Sequence, residues 1–240
     1  MRIGFFSDIH GNVLALEAVL EDMKQVGVDA LVCAGDLAAF GPRPREVLQR
    51  LNEMDDLMIV RGNTERWLDL VRARPVGPYD ERVIEKVRPA LAWTIDKLPD
   101  DSITIMADLP LAGMMEAEGV AVQVEHASPG SDWVGIQPEA EGGRLREMFE
   151  GFEGEAFVCG HTHKPLVRVL DGITIINDGS VGFPYDGVPR PSWALVEAAG
   201  GVKAQIRRVD YDREAVRRDI ADVGMVWGDV MTQRLETARM

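Results

Sequence analysis

The sequence predicts an α/β fold, and three observations carry that expectation. The first sixty residues alternate short apolar, β-branched runs with helical-period segments in the order β-α-β-α-β. Residues 102–209 are richer in strand-like runs, separated by turn residues. The chain has 240 residues, 46% of them hydrophobic and 28% charged, which suits one large domain or a domain with a small insertion.

Taken in order, residues 3–6 form a short strand. Asn12 then caps a helix in which Val13, Leu16, Val19, Leu20, Met23 and Val26 recur at helical spacing. Residues 30–34 are a second buried strand, Pro44 opens a short helix through Leu51, and residues 57–60 are a third strand. That order implies parallel pairing with right-handed crossovers. Residues 64–98 change character: they are charged, contain two tryptophans and are broken at Pro75, Gly77, Pro78 and Pro89. They read as a helical insertion over the sheet edge that either walls a site or is a packing excursion. Further strands are expected at 103–106, 111–115, 120–124, 156–159, 166–170, 173–176, 192–197 and 202–209, with a helix over 145–152. Gly119 marks one turn and Asp171-Gly172 a hairpin. The tail, about 211–240, carries Val216, Ile220, Val223, Val226, Val230 and Leu235 among charges and reads as one or two helices. Its apolar positions are expected to pack on their own domain, a homo-oligomer contact being the alternative. The whole of 1–240 is expected to be one domain.

The formal charge of −14 disfavours a protein that grips nucleic-acid backbone non-specifically, but not an enzyme that meets phosphate through bound cations. Cys33 and Cys159 lie in apolar runs and read as small buried strand residues, not a disulfide framework. Residues 1–4 lack a signal-peptide layout, and no apolar run approaches the roughly 18 residues of a membrane span, so a cytoplasmic protein with no membrane partner is expected.

All four histidines sit where an apolar run gives way to a loop: His10 in Asp8-Ile9-His10, His126 in Glu125-His126-Ala127, and His161 and His163 in Gly160-His161-Thr162-His163. Asp36 follows the second strand in Gly35-Asp36, and Asn63 the third in Gly62-Asn63. Open α/β sheets put their chemistry at strand ends. Asp8, His10, Asp36, Asn63, His126, His161 and His163 make seven mixed nitrogen and oxygen donors. Such a set suits Zn, Mn, Fe, Co or Ni more than Ca or Mg. Seven donors exceed what one tetrahedral zinc takes and fit two divalent metal ions sharing a carboxylate. Gly11, Gly35, Gly62 and Gly160 each abut a donor, where the backbone must turn sharply.

In order and spacing, Asp8-Ile9-His10-Gly11-Asn12, Gly35-Asp36, Gly62-Asn63, His126 and Gly160-His161-Thr162-His163 resemble the signature of the calcineurin-like metallophosphoesterases. The resemblance runs to about Val209 and implies a two-sheet αββα sandwich. It also implies that Asp8, His10 and His163 hold one metal and that Asn63, His126 and His161 hold the other, with Asp36 bridging. Asp36, Asn63 and His126 would act catalytically through metal and phosphate positioning. The reaction implied is in-line attack of a metal-bridging hydroxide on a small phosphoester or nucleotide-type substrate, with Mn favoured in vitro. The run Asn177-Asp178-Gly179-Ser180-Val181-Gly182 is similar to prokaryotic phosphodiesterases of the family and is assigned a supporting role.

One position departs from the pattern. Where many members carry a proton-donor histidine after the ligand Asn, this chain has Thr64, a poor general acid. Such catalysis is typically worth about 10²–10⁴-fold, so weak turnover of poor leaving groups is expected. Glu65 either donates instead or is a first-turn helix residue. Arg43 and Arg190 either pair with phosphate or are solvated. A phosphodiesterase is favoured. The alternatives are a phosphomonoesterase or protein phosphatase, a nucleotide pyrophosphohydrolase, and a catalytically weak binding scaffold.

Overall fold

A computed structural model describes residues 1–73 and 81–240. The strands are β1 (Arg2–Phe6), β2 (Ala30–Cys33), β3 (Met58–Ile59), β4 (Ala112–Ala117), β5 (Val120–Glu125), β6 (Ala156–Cys159), β7 (Leu166–Leu170), β8 (Ile173–Asn177), β9 (Ser192–Glu197) and β10 (Lys203–Arg208). The helices are α1 (Val13–Val26), α2 (Pro44–Asn52), α3 (Asn63–Ala73), α4 (Glu81–Lys97), α5 (Ser102–Ala107), α6 (Gly142–Met148), α7 (Arg213–Asp222) and α8 (Gly228–Thr237).

Two five-stranded mixed sheets result, ordered β10-β9-β1-β2-β3 and β4-β5-β6-β8-β7. β1, β2 and β3 pair in parallel, as the opening β-α-β-α-β pattern requires, and β9 and β10 add antiparallel strands at one side. In the second sheet β5, β6 and β8 are parallel, flanked by the hairpins β4–β5 and β7–β8. Both hairpin turns place two successive residues in left-handed backbone, Glu118-Gly119 and Asp171-Gly172, which is what a two-residue turn between twisted strands demands.

Alternation along the strands divides the core into layers. Ile3, Phe5, Val32, Ala194 and Val196 of the first sheet face Val122, Val124, Ala156, Val158 and Ile176 of the second. Phe6, Cys33, Trp193 and Leu195 point the other way, into a helical layer holding Leu16, Met23, Val47, Trp67, Leu68, Ile84 and Leu91. Phe157, Cys159 and Ile175 form the outer face of the second sheet, covered by Leu145 and Phe149. The architecture is therefore α/β, two sheets between helices.

Three expectations change in detail. Residues 103–106 are not a strand but lie in α5: Ile103 and Met106, three apart, are both buried, while Ile105 is 64% exposed, which is a helical and not an alternating pattern. Pro89 does not break its segment but lies inside α4. Pro75, Gly77 and Pro78 lie outside the described residues. The helix expected over 145–152 runs earlier, over Gly142–Met148. The tail forms two helices, α7 and α8, whose Val216, Ile220, Met231 and Leu235 pack on Phe183, leaving Val230 exposed. No described helix is long and apolar enough to cross a membrane.

Candidate metal centre

Parallel pairing brings the ends of β1, β2 and β3 to one edge, and the ends of β5 and β6 to the facing edge, so the loops after them meet. They interlock through the backbone: Asp8 and His10 donate their N–H to Gly35 and Asp36 (3.0 Å each), Gly160 donates to the carbonyl of His126 (3.0 Å), and Gly182 to that of Asp8 (2.8 Å). Five of the seven expected donors adopt left-handed backbone: Asp8 (φ 52°), His10 (47°), Asp36 (57°), His161 (65°) and His163 (56°). Such conformations cost on the order of 1–3 kcal/mol each outside glycine and persist where surroundings over-determine them, characteristically at functional sites. Gly41 and Gly182 permit the close packing: a side chain on either would run into the carbonyl of His10 or of Ile9.

All seven side chains converge. His10 Nε2 lies 3.1 Å from His163 Nε2, and Asp8 Oδ1 lies 3.2 Å from His163 Nε2 and 3.7 Å from His10 Nε2. Asn63 Oδ1 lies 3.1 Å from His126 Nε2 and 2.9 Å from His161 Nδ1. Asp36 stands between the groups, with Oδ2 3.6 Å from His10 Nε2 and Oδ1 3.5 Å from His126 Nε2. Counting imidazoles and carboxylates alone among the described residues, two donor triplets have a metal's spacing, Asp8–His10–His163 and Asp8–Asp36–His126. His161 joins the second through Asn63 and His126 rather than as a member of that triplet.

The imidazoles are oriented from behind. Nδ1 of His10, His126 and His163 donates to the carbonyls of Ala39, Ala34 and Phe183, which turns Nε2 of each ring toward the cluster, where the neutral ring offers a lone pair. Two such lone pairs facing at 3.1 Å, those of His10 and His163, repel unless a cation lies between them. His161 differs in presenting Nδ1 to the cluster. Asp8 Oδ2 accepts from Ser7 Oγ (2.6 Å) and from the backbone N–H of His161 (2.8 Å), whereas Asp8 Oδ1 is buried with no hydrogen-bond partner. An orphaned carboxylate oxygen aimed at inward imidazole lone pairs is what divalent cations would complete, so the residues present fit the metals.

Electrostatics follow. Burial opposes ionisation of Asp8, but the surrounding His163, His126 and His10 outweigh it and hold the carboxyl below its usual range. Burial also opposes charge on His126, which Asp36 and Asp8 nevertheless raise to about 9. Burial and neighbouring His126 push His161 down to about 4. Burial and the charge of Asp36 push Glu65 up to about 7.

Thr64 and Glu65 have defined tasks. The Thr64 hydroxyl (2.8 Å) and backbone N–H (3.0 Å) both donate to Asp36 Oδ1. Glu65, fully buried, accepts from the backbone N–H groups of Asp36 (2.9 Å), Leu37 (2.8 Å) and Gly62 (2.8 Å), tying the Asp36 loop to the Asn63 loop. Neither group is placed to release a proton to a substrate. Arg43 pairs with Asp219 and Glu46, and Arg190 with Asp210. Asp178 lies in the run assigned a supporting role, whereas Ser7 has no role legible in the sequence: Ser7 Oγ lies 2.6 Å from both Asp8 Oδ2 and Asp178 Oδ1. One hydroxyl proton cannot be donated to both carboxylates at once, and burial pushes the Asp178 carboxyl well above its usual range.

A model of the calcineurin-like phosphoesterase superfamily domain matches residues 1–201. The chain belongs to that superfamily. Among its calcineurin-like relatives, phosphodiesterase YfcE of Escherichia coli strain K12 is 38% identical over 200 residues, 79% of this chain and 84% of that protein. The crystal structure of a metallophosphoesterase from Sphaerobacter thermophilus is 28% identical with a TM-score of 0.80, covering 99% of both chains. The hypothetical protein PH1004 from Pyrococcus horikoshii OT3 matches with a TM-score of 0.83 over 99% of this chain and 98% of its own at 19% identity, a likeness of fold. As a calcineurin-like phosphoesterase, the protein is a metal-dependent phosphoric ester hydrolase.

Proposed function

We propose that this chain is a dinuclear phosphodiesterase acting on small phosphoesters, nucleotide-type diesters included, as one domain over residues 1–240 in the cytoplasm, with Mn²⁺ as an activating ion. Asp8, His10 and His163 would hold one cation, Asn63, His126 and His161 the other, and Asp36 both. The observation that carries this reading is the position of Asp36, whose two carboxylate oxygens face different imidazoles at 3.6 and 3.5 Å. When bound, two divalent cations neutralise the anionic phosphate oxygens and make water acidic enough to serve as a nucleophile near neutral pH.

The protein's own residues position and exclude. Carbonyls behind His10, His126 and His163 hold the rings in one orientation, and Thr64 fixes the rotamer of Asp36. The burial of Asp8, Asp36, Asn63, His10, His126 and His163 keeps bulk water from competing for the donor atoms. With the Thr64 hydroxyl and the Glu65 carboxylate both engaged, neither residue after Asn63 is poised to protonate the leaving oxygen. Substrates whose leaving group departs as a stable anion are therefore favoured, and the diester preference follows the phosphodiesterase named among the relatives.

The test is hydrolysis of bis-(p-nitrophenyl) phosphate and p-nitrophenyl phosphate by chelated protein, with and without Mn²⁺, beside Asp36→Asn. Metal-dependent cleavage that favours the diester and falls at least about 100-fold in the variant is expected. Equal or greater cleavage of the monoester overturns the diester preference, and metal-independent cleavage overturns the centre.

A further inference from the structure

We propose that Trp133 is the stacking surface for a planar ring carried by the substrate, which makes aryl or nucleobase-bearing phosphoesters the preferred class; this rests on the phosphoesterase reading above. Trp133 lies in the loop after the donor His126 and is 40% exposed. Its ring centroid is 5.5 Å from that of the donor His161, with the planes at 66°. On another side it meets Trp67 at 5.1 Å and 54°. Neither contact is a parallel stack.

The opposite flank of the donor cluster is built differently. There Tyr185 lies parallel on His163, with centroids 4.3 Å apart and planes at 5°, and Trp227 lies parallel on Phe40 at 6.3 Å and 10°. Those rings are matched by rings of the same chain. Among the described residues, only on the His161 flank does a large aromatic ring beside a donor lack a parallel partner and face solvent.

The loop that presents Trp133 is held in place. Asp132 takes a two-pronged contact from Arg66 (2.8 and 2.9 Å), and Ser131 Oγ accepts from the backbone N–H groups of Trp133 (3.1 Å) and Val134 (2.9 Å). Ser128 and Ser131 exchange backbone hydrogen bonds, and Gly130 donates to Glu125. Gly135 rests so closely on the metal-site imidazole that a Cβ there would lie 2.8 Å from His161 Cδ2. A tryptophan fixed with on the order of 100 Å² of apolar surface in water, one ring away from the donors, is already organised for a stacked partner, since the ordering cost is met before binding.

The test is calorimetric binding of phenylphosphonate and methylphosphonate to the Mn²⁺-loaded protein, its Trp133→Phe and its Trp133→Leu variants. The two probes share the phosphonate and differ in the ring, and their ratio within each protein cancels any disturbance of the metal centre. We expect the native protein to bind the phenyl probe about tenfold tighter, the scale of one ring stacked on an aromatic side chain. Trp133→Phe should keep that preference and Trp133→Leu, which fills the space without a ring, should lose it. Equal affinities in the native protein, no binding of phenylphosphonate, or a preference that survives in Trp133→Leu overturns the proposal. If the phenyl preference behaves as expected while no ester is hydrolysed with Mn²⁺, the phosphodiesterase reading fails and the stacking surface stands.

Discussion

Glu65 shows how far one buried side chain supports the centre. Replacing it with alanine strands three backbone N–H groups, those of Asp36, Leu37 and Gly62, now held at 2.8–2.9 Å. Each buried donor left unpaired costs about 1–3 kcal/mol, an upper sum of about 9 kcal/mol. Two effects reduce it. Water entering the vacated space re-pairs some donors. Removing the carboxylate also relieves the burial and the Asp36 repulsion that push its proton affinity up to about 7. A net loss on the order of 3 kcal/mol is expected, a large share of a domain's usual 5–15 kcal/mol. The assay is urea unfolding of chelated native and Glu65→Ala protein, followed by Mn²⁺ titration of each. Mn²⁺ affinity should fall as well, because the staple joins the loops that carry Asp36 and Asn63. If the variant unfolds within about 0.5 kcal/mol of the native protein and binds Mn²⁺ equally, the staple is not what holds the loops.

Two further outcomes follow from contacts already described. Thr64→Val keeps shape but removes the hydroxyl on Asp36 Oδ1, a bond to a charged acceptor worth about 1.5–3 kcal/mol. It should weaken Mn²⁺ binding and lower kcat/KM for the diester roughly tenfold, with Thr64→Ser close to native; equal behaviour of Val and Ser variants would show that the hydroxyl does not position Asp36. Asp22 on α1 accepts from Arg207 (2.8 and 2.9 Å) and from Trp193 Nε1 (2.8 Å), and Arg207 foremost holds its carboxyl below 3.8. A depressed carboxyl stabilises the fold above its unfolded value and loses that contribution as pH falls through the folded one. Asp22→Asn should therefore cost about 1 kcal/mol at pH 7, a modest figure for a partly solvated pair, and the gap should close below about pH 4. A gap of constant size in unfolding at pH 7 and pH 3 would refute the ionic origin.

The elements legible in the sequence were those with local causes. Asn12 caps α1 by accepting from Ala15 N–H, Pro44 opens α2, and Asp171-Gly172 turns β7 into β8. The convergence of the seven candidate side chains was legible because each follows a strand, so one-dimensional order carried their proximity. Residues 103–106 misled because four β-branched or apolar residues satisfy two periods, and only the burial of Ile103 and Met106 together decides for helix. The contact of Ser7 with Asp178 is not legible in the sequence because the two are 171 residues apart and meet only in the fold. Trp133 escaped because an exposed tryptophan in a loop has no sequence signal; its meaning comes from lying beside His161.

The same distinction bears on catalysis. The resemblance implies an acid after Asn63 in many relatives, and in this fold the polar atoms of Thr64 and Glu65 bond to the loops of Asp36 and Gly62. On the proposed reading, in which no acid assists the leaving group, catalytic power comes from electrostatics at the donor cluster and from placing the ester, proton-transfer assistance being worth about 10²–10⁴-fold. Placement favours a substrate that can be gripped away from phosphorus, and a ring on Trp133 supplies that grip on the flank where His161 meets solvent. For an aryl ester the two features act together, since it has both a leaving group that needs no proton and a face to stack on Trp133, whereas a nucleobase-bearing diester gains the stacked face alone.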